Sequence, residues 1–172
     1  MLILVTNDDG INAPGIKALS LALTTIGRVA VVAPERERSA IGHGITMHKP
    51  LRVTQMSWGS SLSKCLAVNG TPADCVKLAL DALLDEPPAL IVSGINRGEN
   101  LGTDVLYSGT VSGALEGCIN NYPSMAVSLV GEEEFDFTFA ANFTVKLAEQ
   151  ILKHGLPEGT LLNLNIPQLP QS

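Results

Sequence analysis

At 172 residues the chain has the length of one domain able to enclose a real core. Apolar residues make up 45% and charged residues 16%, which excludes a disordered chain, while aromatics at 4% leave too few stacking platforms for a single-strand nucleic-acid binder. The net charge of −6, from 11 basic and 17 acidic residues, offers no basic face to a nucleic-acid duplex, so a phosphorylated ligand would need a metal ion or backbone amides to receive it.

Met1 to Thr6 is a continuous apolar run that stops at Asn7-Asp8-Asp9-Gly10. A run this short, apolar on both faces, suits a buried central strand of a parallel sheet. Pro14 to Ile26 reads as a helix, with Ile16, Leu19, Leu21 and Leu23 toward one side and Gly27 closing it. Arg28 to Ala33 is a second, β-branched strand, which completes a βαβ unit. Glu35 to Gly44 is polar loop. Ile45 to Gln55 and Lys64 to Val68 have strand character and are expected to form an antiparallel excursion.

Thr71-Pro72-Ala73-Asp74 opens the next helix, with Thr71 as N-cap, Pro72 at the first helical position and Asp74 at the third; it should reach about Leu84. Ala89 to Ser93 is a strand, followed by a long loop from Gly94 to Gly109. Helices are expected over Val111 to Asn120 and Phe135 to His154, the latter capped by Gly155, with strands over Ser124 to Val130 and Leu161 to Ile166. This alternation predicts an α/β fold, Rossmann-like, three layers deep, with a mostly parallel central sheet and an antiparallel excursion around residues 45–68.

Ligands bind open α/β sheets at the carboxyl ends of the strands, and the polar clusters of this chain fall at such ends. Asp8-Asp9 is the sharpest of them. Two adjacent carboxylates repel each other unless a cation lies between them or one is protonated. Two Asp, a Ser hydroxyl at Ser39 and the Asn96 amide form an all-oxygen donor set, which suits Mg²⁺ or Mn²⁺ and not zinc. The alternatives are plain turn chemistry: Asp9 capping the coming helix, Ser39 and Asn96 as turn formers. Arg36 and Arg38 either meet an anion or belong to a solvated loop of alternating charge. Ser108-Gly109-Thr110 at a helix start reads either as a phosphate cradle of backbone amides or as an ordinary Ser/Thr cap.

Other chemistries lack their signatures. There is no GxSxG, GxxxxGK[ST] or GxGxxG, and His43, His48 and His154 have no zinc spacing; His43 reads as an exposed loop residue. Cys65, Cys75 and Cys118 are odd in number with no CxxC pair, as expected of a reducing, cytoplasmic protein in which they pack. No apolar run is long enough for a membrane span, and the amino terminus does not resemble a signal peptide.

Five blocks in order, Val5-Thr6-Asn7-Asp8-Asp9-Gly10, Ala33-Pro34 leading to Ser39-Ala40, Val68-Asn69-Gly70-Thr71-Pro72-Ala73-Asp74, Ser93-Gly94-Ile95-Asn96 with Gly98 and Asn100, and Tyr107-Ser108-Gly109-Thr110-Val111 with Ala114 and Glu116-Gly117, resemble the SurE family of survival-protein nucleotidases. The resemblance implies a metal-dependent phosphomonoesterase acting on nucleoside 5′- and 3′-monophosphates, and in some members on short polyphosphate, by attack of a metal-activated water. It implies one divalent ion, Mg²⁺ or Mn²⁺, held by Asp8, Asp9, Ser39 and Asn96, with Asp8, Asp9 and Asn96 catalytic and Asn96, Ser108, Gly109 and Thr110 on the phosphate side. Family members continue beyond Pro167 with a segment that makes subunit contacts, so residues 1–172 are expected to form a single domain lacking that segment; a homodimer or tetramer is the family expectation. The rival readings are a non-enzymatic Mg²⁺-binding receiver or ligand-sensing domain, which requires an acceptor Asp at a central strand end where this chain has Ser93-Gly94, and a folded but inactive truncated nucleotidase.

Overall fold

The computed structural model describes residues 1–38, 41–58, 61–131 and 135–168. Seven strands, β1 (Leu2–Thr6), β2 (Arg28–Pro34), β3 (Val53–Gln55), β4 (Lys64–Val68), β5 (Leu90–Arg97), β6 (Ser124–Val130) and β7 (Leu162–Pro167), form one sheet in the order β3-β4-β2-β1-β5-β6-β7. All neighbours are parallel except β3 and β4. The fold is therefore the mostly parallel α/β sheet expected from the sequence.

β1 is buried at all five positions because both of its faces are covered. Ile3 and Val5 join the core under α1 (Pro14–Leu23) and α4 (Thr138–His154). Leu4 points the other way, into the cluster containing Val32, Ile91 and the buried side of α2 (Pro72–Leu78). α3 (Gly109–Ile119) packs beside α2 on that second face. The result is three layers. No helix among the described residues is long and apolar enough to cross a membrane.

Several local expectations are corrected. The antiparallel excursion is smaller than 45–68: only Val53–Gln55 pairs with β4, while residues 45–52 are irregular and β4 itself is parallel to β2. α1 ends at Leu23, and two threonines turn the chain by donating their hydroxyls to Leu21 O and Ala22 O. Leu21 lies on the solvent side, 64% exposed, because it is about 200° around the helix from Leu19. The helix at Pro72 continues to Leu83 only by widening into a π turn over Ala79–Leu83. α4 starts at Thr138, not Phe135, where the Asp136 carboxylate accepts from the Thr138 amide at 2.9 Å.

The largest correction concerns Gly94 to Gly109. Its first part is strand, since β5 runs on to Arg97, and a 3₁₀ turn spans Gly102–Leu106. Between Ser93 and Asn96 the register with β6 shifts by one residue, a bulge at Gly94, whose φ of +145° only glycine adopts readily. The strand therefore carries Asn96 and Arg97 to the same sheet edge as the end of β1.

Candidate active site

The strand order reverses at β1, whose neighbours β2 and β5 lie on opposite sides, and this is where an open α/β sheet leaves a crevice. A cleft of about 680 Å³ opens there, lined by Asp8 and Asp9 after β1, Asn96 and Arg97 on β5, and Ser108 before α3.

Local bonds fix the turn after β1. The Asn7 amide donates to Gly10 O at 2.9 Å, and Ile11 N donates to Pro34 O at 2.8 Å. Gly10 has φ +95°, and a Cβ there would lie 2.9 Å from the backbone carbon of Arg36. Only glycine lets the two loops meet so closely. The loop after β2 is then clamped by Arg38 N donating to Asp8 O at 2.7 Å.

Asp8 lies under the start of α3. Thr110 donates both its hydroxyl and its amide to the Asp8 carboxylate. A Cβ on Gly109 would lie 2.7 Å from the Asp8 Cβ and 2.9 Å from Oδ2, so glycine is what allows the helix to approach. Burial raises the Asp8 pKa, against the lowering effect of the Thr110 bonds. Asp9 is half-buried; burial and the Asp8 charge push it up to about 6, opposed by the Arg97 amide and guanidinium. Both carboxylates are thus destabilised as bare anions, and a cation between them would relieve this. Asp9 does not cap α1: the capping position is Ala13, with no side-chain bond.

The Asn96 NH₂ donates to Arg97 O and Gly98 O at 3.2 and 2.9 Å, so Oδ1 is the atom it could offer a cation. Two carboxylates and an amide oxygen in one cleft fit a hard divalent ion. Among the described residues no group of three or more His, Cys, Asp or Glu is arranged to hold a metal, so such a site depends on neutral oxygens. Ser39, the fourth expected ligand, lies outside the described residues.

At α3 the residues expected on the phosphate side differ in their bonding. Thr110 is fully buried and committed to Asp8. Ser108 Oγ accepts from Val111 N at 3.1 Å, and its hydroxyl hydrogen remains for another acceptor. Residues that sequence reasoning did not assign also line the cleft, among them Glu37, Asn100, Asp104 and Phe137. Asn100 is held by β7 and β6: its amide donates to Asn165 Oδ1 at 2.8 Å and its side chain to Ser128 Oγ at 2.8 Å. The alternating asparagines of Leu162-Asn163-Leu164-Asn165 were the available signal. Phe137 had none.

His43 is an exposed loop residue, as expected, and its Nε2 also lies 2.8 Å from Glu116 Oε2, a carboxylate buried on α3. Cys65 and Cys75 pack as expected; burial pushes the first thiol up to about 11 and the second well above the usual thiol range.

The model of the family described as Survival protein SurE matches residues 3–172. The chain is 77% identical over 170 residues to the 5′-nucleotidase SurE of Moorella thermoacetica, covering 99% of this chain and 65% of that protein. It is 57% identical over 171 residues to the 5′-nucleotidase SurE of Heliobacterium modesticaldum, covering 99% and 63%. The crystal structure of the SurE protein from Aquifex aeolicus superposes with a TM-score of 0.90 at 46% identity, covering 98% of this chain and 67% of that one. The chain thus spans about two thirds of the length of these relatives.

Proposed function

The chain belongs to the SurE family, and from that premise we propose that it is a metal-dependent phosphomonoester hydrolase releasing phosphate from nucleoside 5′- and 3′-monophosphates. The observation that carries this reading is the pair of destabilised carboxylates, Asp8 and Asp9, at the strand-order reversal and against the start of α3. Two of the curated relatives it resembles are named 5′-nucleotidases.

Asp8, Asp9 and Asn96, with Ser39 by family likeness, hold one Mg²⁺ or Mn²⁺. When bound, the ion neutralises phosphate charge and lowers the pKa of a water for in-line attack at phosphorus. Asp9, more open to solvent than Asp8, would orient the attacking water. Thr110 holds Asp8 in place through two hydrogen bonds. The Gly109 amide and the Ser108 hydroxyl receive phosphate oxygens at the positive end of α3. Arg97, in the same cleft, adds positive charge and offsets part of the Asp9 repulsion. A receiver-type reading finds no support in this geometry, because Asn96 and Arg97 on β5 line the cleft where a receiver carries its acceptor aspartate.

The test is phosphate release from a panel of 5′ and 3′ nucleoside monophosphates after chelation, with Mg²⁺ or Mn²⁺ restored, on this chain and on one extended to the relatives' length. Release should return with metal, and Asp8→Asn should reduce it at least about a hundredfold, beyond the usual effect of an outer-shell residue, with circular dichroism unchanged. No metal-restored release from either chain, or near-normal rates in Asp8→Asn, would overturn the proposal.

A further inference from the structure

We propose that the hollow between the loop at Glu35–Arg38 and the segment at Lys49–Arg52 is a second ligand site, one that takes a small molecule bearing a phosphate-class oxyanion. The hollow measures about 300 Å³ and shares no lining residue with the cleft at Asp8 and Asp9. That volume is at the small end of ligand pockets. Arg36, Arg38, Lys49 and Arg52 line it, four of the chain's 11 basic residues, against the single carboxylate of Glu35.

In a chain of net charge −6 this concentration runs against the average, and cations gathered in one concavity repel one another unless an anion joins them. None of the four forms an ion pair among the described residues. The Arg38 guanidinium donates through Nη2 to Asn69 O at 2.9 Å, while its Nε is buried with no hydrogen-bond partner. Buried donors are nearly always satisfied, and this one leaves the Arg38 guanidinium with an unmet donor beside the hollow.

The walls are already assembled. Arg52 N donates to Asn69 Oδ1 at 2.7 Å, Asn69 Nδ2 to Pro50 O at 3.3 Å, and Glu35 N to Val68 O at 2.8 Å. Binding therefore need not gather the backbone that carries the cations, which lowers its ordering cost. Guanidinium forks match the oxygens of phosphate, and several positive charges favour a doubly charged group over a monoanion. Free inorganic phosphate and the phosphoryl group of a small metabolite share that chemistry.

The experiment is calorimetric titration of inorganic phosphate, and in parallel of glycerol phosphate, into protein freed of metal on a chelating resin. One phosphate should bind per chain, more weakly as salt rises. Lys49→Ala/Arg52→Ala should lose about tenfold or more in affinity, because each charge-assisted bond is worth about that factor. Both side chains are exposed, so the melting temperature should stay at the wild-type value, and Lys49→Ala alone provides the same comparison should the double variant melt early. Lys49 and Arg52 lie outside the hydrolytic cleft, so a loss on changing them separates this site from that cleft and keeps the result independent of whether the chain hydrolyses nucleotides. Tighter binding of glycerol phosphate points to a phosphorylated metabolite, and equal binding to the phosphate group alone; both support the site. Undiminished binding in the Lys49 and Arg52 variants, or no binding of millimolar phosphate, would overturn it.

Discussion

Asp8 illustrates how one side chain can be prepared for a cation. It is buried, which disfavours its charge, yet it accepts two hydrogen bonds from Thr110, which favour that charge. The two effects leave a carboxylate held in one orientation and still in need of a positive partner. Thr110 is therefore a positioning residue. Thr110→Val should weaken Mg²⁺ or Mn²⁺ binding about 10- to 100-fold, as loss of an outer-shell partner commonly does, and Thr110→Ser should restore most of it. Direct titration of the metal separates this from a general loss of fold. Normal binding by Thr110→Val with weakened binding by Thr110→Ser would show that packing of the threonine methyl, not the hydroxyl, is what matters.

At the scale of elements, α2 shows how a short helix anchors a loop beyond itself. Thr71 and Asp74 form a reciprocal capping box, with Asp74 N donating to Thr71 Oγ1 at 3.0 Å and Thr71 N to Asp74 Oδ2 at 2.9 Å. Asp74 also accepts from Thr46 N at 2.8 Å and Thr46 Oγ1 at 2.6 Å, tying residues 41–50 to the helix. Thr71→Ala should cost about 1 kcal/mol, the usual value of a lost cap. Asp74→Ala should cost about 2–4 kcal/mol, since it strands three donors at once. Denaturant melts measure both. Equal losses would mean that the Thr46 contacts contribute nothing to stability.

At the scale of the whole molecule, the same carboxylates set how stability depends on pH. The Asp9 pKa rises from 3.8 to about 6 on folding, so folding favours its protonated form. Its contribution is fully present below about pH 4 and is lost as pH rises through about 6. Metal-free wild type should therefore melt below Asp9→Asn at pH 7, and the gap should close as pH falls toward 4. A divalent ion substitutes for the proton, so added Mg²⁺ should raise the melting temperature more at pH 8 than at pH 5. Calorimetric melts across that range check both trends; a gap independent of pH would remove the electrostatic account of the Asp8 and Asp9 pair.

The sequence by itself determined the layers and the first half of the cleft. An apolar run without alternation demands cover on both faces, so Leu2–Thr6 had to be central, and Asp8-Asp9 directly after it had to lie at its carboxyl end. Thr71-Pro72-Ala73-Asp74 likewise announces a helix, because its bonds are made within four residues. What tertiary structure decided involves partners far apart in the chain. Asn96 and Arg97 read as loop because Gly94 interrupts the strand pattern, yet a bulge lets β5 continue along β6 and deliver both residues to the cleft that Asp9 lines. The excursion at 45–52 lost its strand character because only Val53–Gln55 found a ladder partner. The assignment of Thr110 to Asp8 across 102 residues, and the meeting of Arg38 with Lys49 and Arg52, depend on strand order. Strand order is set by which faces bury together, and no local periodicity records it.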